Sequence, residues 1–107
     1  MNSKLIWMAG CIAMLATGVA QAANPAAGKE KSKSCAACHG ADGNSANGEF
    51  PRLAGQHYDY LLRTLQEYKS GERKNAIMNG IAASLSTRDM QDLAAFYSRQ
   101  QGLTVKR

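Results

Sequence analysis

The stretch Cys35-Ala-Ala-Cys-His39 is the most informative part of this 107-residue sequence. Its C-x-x-C-H spacing is the signature of covalent attachment of a c-type haem. On one face of a helix, two thiols three residues apart reach two vinyl groups on one side of a porphyrin, and the next imidazole is directed at the iron. The motif therefore predicts one haem c, held by thioether bonds to Cys35 and Cys38 and ligated by His39.

Other uses of these two cysteines are less consistent with the sequence. A structural zinc site needs four donors, and although Cys35, Cys38, His39 and His57 supply that number, the adjacent Cys38 and His39 would be awkward partners on one tetrahedral ion. A thioredoxin-like dithiol requires a βαβ pattern, which this sequence lacks. A simple disulfide would close a loop too short to restrain the unfolded chain. Haem attachment remains the favoured interpretation.

The first 22 residues have the pattern of a secretory signal peptide. A short basic region ends at Lys4, an apolar region covers residues 5–16, and Ala20-Gln-Ala22 is an A-x-A cleavage site. We therefore expect cleavage after Ala22, a mature domain over residues 23–107, and export to the periplasm.

A membrane anchor and a lipoprotein signal are the two alternatives to a cleaved signal peptide. An uncleaved membrane anchor needs about 18 or more unbroken apolar residues, and the run here is shorter. The segment Met8-Ala-Gly-Cys11 loosely resembles a lipoprotein cleavage site that would leave a lipidated cysteine. Because few apolar residues precede Cys11 and the apolar run continues past it, we expect no transmembrane or lipid anchor in the mature chain.

The size and charge of the chain limit what it can be. With 13 Lys+Arg against 8 Asp+Glu, its formal net charge is +5. A chain this short forms one small domain, which excludes a large multi-domain enzyme. It also buries a small fraction of its surface, so it needs a cofactor or another staple to complete its core. An exported chain of such weak charge gives little support to nucleic-acid binding.

The apolar pattern predicts an all-α fold. We expect helices over residues 25–39, over residues 57–70, and from the capping box Ser86-Thr-Arg-Asp89 to about residue 101. Residues 40–56 are rich in Gly, Asn and Asp and should form a loop, and residues 76–83 form a short segment between two helices. Each expected helix is followed by a glycine suited to end it, namely Gly40, Gly71 and Gly102.

The candidates for the second axial ligand of the iron are few. Beyond the leader the chain holds two methionines, Met78 and Met90, and one spare histidine, His57. Met90 lies on the apolar stripe of the last helix, where a methionine is typical of a core. Met78 lies between two helices, where the chain can approach the iron from the side opposite His39. We favour Met78, with Met90, His57 or an open position as the alternatives.

These residues together resemble the class I cytochromes c, in particular the bacterial branch of small mono-haem carriers and of di-haem proteins made of two such halves. The resemblance covers residues 26–101, and it rests on Cys35–Asn44, Phe50–Gly55, Tyr68–Arg73, Met78–Gly80, Leu85-Ser86 and Asp92–Phe96. The di-haem relatives carry two C-x-x-C-H motifs, whereas this chain has one. The expected fold is therefore the small class I cytochrome c fold around a single haem.

The resemblance also implies roles for individual residues. Met78 matches the distal sulfur ligand of the family. Pro51 matches the proline whose carbonyl accepts a hydrogen bond from the proximal imidazole, which would fix the tautomer of His39 and raise its basicity. Gly28 and Phe96 match the small residue and the aromatic residue where the first and last helices cross.

Histidine and methionine ligation fills both axial positions, which indicates outer-sphere one-electron transfer rather than catalysis. The expected function is a periplasmic electron carrier between respiratory-chain donors and a terminal oxidase or reductase, monomeric or homodimeric, with transient redox protein partners. The run Tyr68–Met78 also resembles that of cytochrome subunits paired with a flavoprotein that oxidises sulfide, so a subunit of a larger dehydrogenase is the second hypothesis. A ligand-binding haem sensor would need a weak or absent sixth ligand.

Overall fold

The computed structural model describes residues 22–102, and it is helical throughout, with no strand in this range. The predicted signal peptide, residues 1–22, lies outside the described residues except for Ala22. The described chain has five helices, α1 (Pro25–Lys31), α2 (Lys33–His39), α3 (Tyr58–Ser70), α4 (Ala76–Ala83) and α5 (Thr87–Ser98). The predicted all-α class is confirmed. None of these helices is long and apolar enough to cross a membrane.

The helix predicted over residues 25–39 is in fact two helices that meet at Ser32. The Ser32 hydroxyl donates to the carbonyl of Lys29 at 2.6 Å, and the Ser32 amide donates to the carbonyls of Gly28 and Lys29 at 2.9 and 3.3 Å. The side chain thus competes for the Lys29 carbonyl that an uninterrupted α-helix would reserve for Lys33. The prediction of one continuous helix was wrong, and the C-x-x-C-H motif lies on its own short helix.

The predicted capping box at the start of α5 is confirmed. The Ser86 hydroxyl accepts from the Asp89 amide at 3.0 Å, and the Asp89 carboxylate accepts from the Ser86 amide at 2.9 Å. The helix ends at Ser98, however, and Arg99 caps it in the right-handed conformation. Gly102 therefore does not end this helix as predicted.

Glycine ends the other two predicted helices, in different conformations. Gly71 follows α3 in the left-handed region, with φ 87° and ψ 3°. Gly40 follows α2 with φ 84° but ψ 159°, so it has a positive φ without the left-handed helical geometry that we expected. Gly40 leads the chain into a turn at the start of the loop over residues 41–56, in which its carbonyl accepts from the Gly43 amide at 3.2 Å.

Helices α1 and α5 cross at a close contact that requires glycine. A Cβ atom built on Gly28 would lie 2.6 Å from the carbonyl carbon of Asp92 and 2.9 Å from Cβ of Phe96. Gly28 and Phe96 therefore occupy the crossing of the first and last helices, where the resemblance placed them. The core next to this crossing is built mainly from α5, whose Leu93 is almost fully buried.

A buried carboxylate fastens the start of the domain to α5. Asp92 is only 2% exposed, and it accepts from the Asn24 amide at 2.8 Å and from the Lys31 ammonium at 2.7 Å. Arg88 lies 3.5 Å from the same carboxylate. Burial disfavours the ionised form of Asp92, but the hydrogen bonds from Asn24 and Lys31 and the charges of Lys31 and Arg88 outweigh it and hold the pKa below its ordinary value.

Candidate haem site

A cavity of about 570 Å³ lies between α2, the loop over residues 41–56, α3, α4 and α5. Most of its wall is apolar, as expected of a site for a large flat cofactor. Five of the residues singled out from the sequence line it together: Cys35, Cys38, His39, Pro51 and Met78. The fold thus brings residues from three separate parts of the chain to one space.

Helix α2 supplies one wall of this cavity. Cys35 and Cys38 are partly buried free thiols, and His39, at the end of the helix, is 6% exposed. The Nδ1 atom of His39 lies 2.8 Å from the carbonyl oxygen of Pro51. When Nδ1 carries the proton and donates a hydrogen bond to this carbonyl, Nε2 is left in the unprotonated form that binds metals.

The loop over residues 41–56 is held in place by its own hydrogen bonds and by α5. The carbonyl of Gly43 accepts from the amides of Leu53 and Ala54 at 2.8 and 3.2 Å, and the Gly55 amide donates to the carbonyl of Tyr97 at 3.0 Å. Gly43 has φ 86° and lies so close to Tyr97 that a Cβ atom would be 2.8 Å from the ring. Close contacts on both sides therefore fix the loop, and with it the Pro51 carbonyl that faces His39.

Met78 reaches the cavity from α4, whose first turn is tightly capped. The segment that the sequence placed between two helices is thus itself a helix. The side chain of Asn75 accepts from the Met78 amide at 3.0 Å. The amide group of Asn79 donates to the carbonyls of Tyr68 and Arg73 at 2.8 and 2.9 Å, and its oxygen accepts from the Asn75 amide at 2.9 Å. These bonds fasten α4 to the end of α3.

The other candidate ligands lie elsewhere. Met90 is 3% exposed in the core and does not line the cavity, and His57 is an exposed residue at the start of α3. Within residues 22–102 no group of three or more His, Cys, Asp or Glu side chains could hold a metal ion. The four donors considered for zinc are therefore not assembled in this part of the chain.

Two polar atoms in the cavity wall were not anticipated from the sequence. The hydroxyl of Tyr97 and Nε of Arg73 are buried and have no hydrogen-bond partner within the described part of the chain. Burial raises the pKa of Tyr97 well above its ordinary value. Tyr97 follows Leu93 by one helical turn, a spacing that could have placed it on the cavity face, whereas no sequence signal distinguished Arg73 from its basic neighbours.

The donor set fits a haem. The cavity combines apolar walls, two thiols at the attachment spacing, a histidine with an oriented ring, a methionine sulfur and polar groups without hydrogen-bond partners. Cys35 and Cys38 would hold the group, and His39 and Met78 would flank its iron.

The family model for "Cytochrome c" matches residues 25–99. The chain belongs to the cytochrome c family. This is the class I c-type cytochrome that the motifs predicted, and cytochromes c of this family are electron-transfer proteins rather than catalytic enzymes, again as predicted.

Solved structures confirm the predicted fold. The crystal structure of reduced recombinant cytochrome c4 from Pseudomonas stutzeri superimposes with a TM-score of 0.73 and 43% sequence identity, over 77% of this chain and 48% of that one. The chain spans about half the length of the curated cytochromes c4 that it matches.

Relatives of different length share this domain. Cytochrome c-554(548) of Halomonas halodenitrificans is 41% identical over 75% of this chain and 100% of that protein. A "thiosulfate dehydrogenase electron acceptor" of Stutzerimonas stutzeri is 44% identical over 82% of this chain and 44% of that protein. The domain thus matches the whole of one relative and less than half of another.

Proposed function

We propose that this chain is a periplasmic one-electron carrier with one covalently attached haem c, whose iron is ligated by His39 and Met78. The observation that carries this proposal is the single cavity into which α2 brings Cys35, Cys38 and His39 and α4 brings Met78. The bound haem would supply a one-electron iron couple, and a thioether sulfur opposite histidine favours its reduced form.

The residues of the chain prepare the site for electron transfer in three ways. Cys35 and Cys38 fix the haem on α2. The Pro51 carbonyl accepts a hydrogen bond from Nδ1–H of His39 and so orients the ring for binding through Nε2. Met78 enters from a helix whose first turn is capped by Asn75. With His39 and Met78 both bound to the iron, no position would be left for a substrate, and electrons would pass to and from protein partners in transient encounters.

The N-terminal leader supports the periplasmic location. The leader over residues 1–22 has the three regions of a signal peptide and a cleavage site after Ala22, so the mature domain covers residues 23–107. The periplasm places this domain beside respiratory-chain donors and terminal oxidases or reductases, whose electrons it would carry as a monomer or a homodimer.

The proposal is tested on protein expressed with its own leader in a bacterium that matures c-type cytochromes. Mass spectrometry of the periplasmic product should show an N-terminus at Ala23 and the added mass of one haem, and the ferrous protein should be low-spin and unreactive with carbon monoxide. A product without covalent haem would refute the carrier. Carbon monoxide binding at rest would instead favour the haem sensor and count against Met78.

A second candidate function is that of an electron-accepting subunit of a dehydrogenase. The similarity to a protein named as an acceptor for thiosulfate dehydrogenase favours it, and so does the resemblance of Tyr68–Met78 to cytochrome subunits of a sulfide-oxidising flavoprotein. Size-exclusion chromatography of native periplasm separates the two functions. A haem-only species of one or two domains supports the free carrier, whereas stable co-elution with a dehydrogenase supports the subunit.

A further inference from the structure

Two arginines line the haem cavity, Arg52 and Arg73, and they differ in their surroundings. Arg52 is exposed to solvent, whereas Arg73 is half-buried. The Nε atom of Arg73 is shielded from solvent and has no acceptor among residues 22–102. A donor atom that is shielded from solvent and has no acceptor is costly unless a ligand satisfies it.

The backbone around Arg73 is fixed in advance. Its amide donates to the carbonyl of Glu67 at 3.1 Å, and its carbonyl accepts from Asn79 at 2.9 Å. Its guanidinium lies 5.6 Å from the centre of the Tyr68 ring and forms a side-chain hydrogen bond with Tyr60 that leaves Nε without a partner. The guanidinium is therefore held at the cavity wall before any ligand binds.

The nearby acidic group does not fully satisfy this cation. Glu67 contributes a favourable charge to Arg73, but its carboxylate forms an ion pair with Arg63 at 3.5 Å. Tyr68 presents the face of its ring to the guanidinium. Nε of Arg73 still lacks an acceptor. A carboxylate or a similar anion bound in the cavity would supply one.

A haem brings two carboxylates, its propionates, into a cavity with mostly apolar walls. A guanidinium is the side chain best suited to a carboxylate, since it offers paired N–H donors in one plane. We propose that Arg73, assisted by the hydroxyl of Tyr60, binds a haem propionate. This inference rests on the proposed haem function and adds a residue that holds the acidic end of the cofactor.

The pairing has a measurable effect on the iron. A cation at a propionate offsets its negative charge and so favours the reduced, less positive iron. Replacing Arg73 by a neutral residue should shift the one-electron equilibrium towards the oxidised form by about tenfold, which is 59 mV for a one-electron couple.

The experiment compares four variants of the holoprotein with the wild type. Arg73→Gln removes the charge, Arg73→Lys keeps it without the paired donors, and Tyr60→Phe removes only the hydroxyl. Lys74→Gln is the matched control, because Lys74 is an exposed basic neighbour that does not line the cavity. Each is measured for reduction potential, for the propionate vibrations in resonance Raman spectra, and for thermal stability.

The expected result is a lower potential and shifted propionate vibrations in Arg73→Gln, smaller changes in Arg73→Lys and Tyr60→Phe, and none in Lys74→Gln. A loss of thermal stability in Arg73→Gln with unchanged potential and vibrations would show a purely structural role and overturn the inference. An equal drop in potential in Lys74→Gln would overturn it as well, since net charge alone would then suffice.

Two further outcomes are also decisive. If Arg73→Gln does not accumulate as holoprotein, Arg73→Lys and Tyr60→Phe decide the question, and unchanged propionate vibrations in both would refute it. Failure of the proposed haem function is separately visible, because the wild type itself would then lack a covalent haem spectrum.

Discussion

Replacing Gly28 by alanine tests the crossing of α1 and α5 on which the domain depends. The new Cβ atom would lie 2.6 Å from the carbonyl carbon of Asp92 and 2.9 Å from Cβ of Phe96, whereas ordinary contacts begin at 3.4 Å. The nearest obstacle is the backbone carbonyl oxygen of Asp92, which lies closer still, so the two helices must separate by more than these two distances alone require. That movement would also lengthen the contacts of Asp92 with Asn24 and Lys31.

The cost can be estimated from these contacts. Overpacking a well-packed interface costs about 1–3 kcal/mol and occasionally more, and alanine returns about 1 kcal/mol of helix propensity. Since backbone cannot rotate away, we take the upper end of the overpacking range, which leaves a net loss of about 2 kcal/mol. For a domain of this size, that loss lowers the melting temperature by roughly 8–16 °C.

Gly80→Ala is the matched control. Gly80 lies inside α4 and is exposed, and a Cβ atom there would have no neighbour within 4 Å. This change should stabilise the protein by about 0.5–1 kcal/mol. Thermal and guanidinium unfolding of both holoproteins, followed by far-UV circular dichroism, gives the comparison. Equal stability of the two variants would show that α1 and α5 do not meet at Gly28, and the crossing described above would be wrong.

Three further predictions concern single side chains. Met78→Ala should open the iron to carbon monoxide and lower the reduction potential, whereas Met90→Ala should leave the ligation intact and cost about 2–5 kcal/mol of stability through a core cavity. Absorption spectra with carbon monoxide and unfolding curves check both results. Altered ligation in Met90→Ala alone would reverse the assignment. Because the pKa of Asp92 is held below its ordinary value, its contribution to stability is present above about pH 4 and is lost as the pH falls through the folded-state pKa. As the pH is lowered from about 6 to about 2, the free energy of unfolding should therefore fall less steeply in Asp92→Asn than in the wild type. Identical slopes would contradict this. Ser86→Ala removes the cap of α5 and should cost about 1 kcal/mol in denaturant unfolding, and an unchanged midpoint would argue against the cap.

Local patterns in the sequence predicted much of this fold. The capping box at Ser86 and the apolar spacing of α3 depend on neighbours within a few residues, so they can be read without knowing the tertiary structure. The same holds for the C-x-x-C-H motif, whose spacing indicates the chemistry directly. The division at Ser32 was missed because a serine hydroxyl can either point to solvent or bind a carbonyl one turn back, and only burial decides which.

The parts of the site that the sequence did not reveal depend on contacts between distant segments. Asp92 meets Asn24 across 68 positions of the chain, and no local pattern links them. Arg73 lies in a run of charged residues that is typical of a solvated turn, and only the tertiary structure places it at the cavity wall, with its carbonyl bound to Asn79. Met78 was favoured from the sequence by elimination, and the structure adds that it is carried on a capped helix.

The bonds of Asn79 link two features of the cavity that otherwise look independent. Asn79 follows Met78 on α4, and the side chain of Asn79 donates a hydrogen bond to the carbonyl of Arg73. A rotation of the Met78 side chain alone would release the sulfur and leave this hydrogen bond intact. If α4 itself moves away, the hydrogen bond breaks and residues 71–83 open as one cooperative unit. The iron would then lose its sulfur ligand in the same event that frees the propionate, and both losses would lower the potential together.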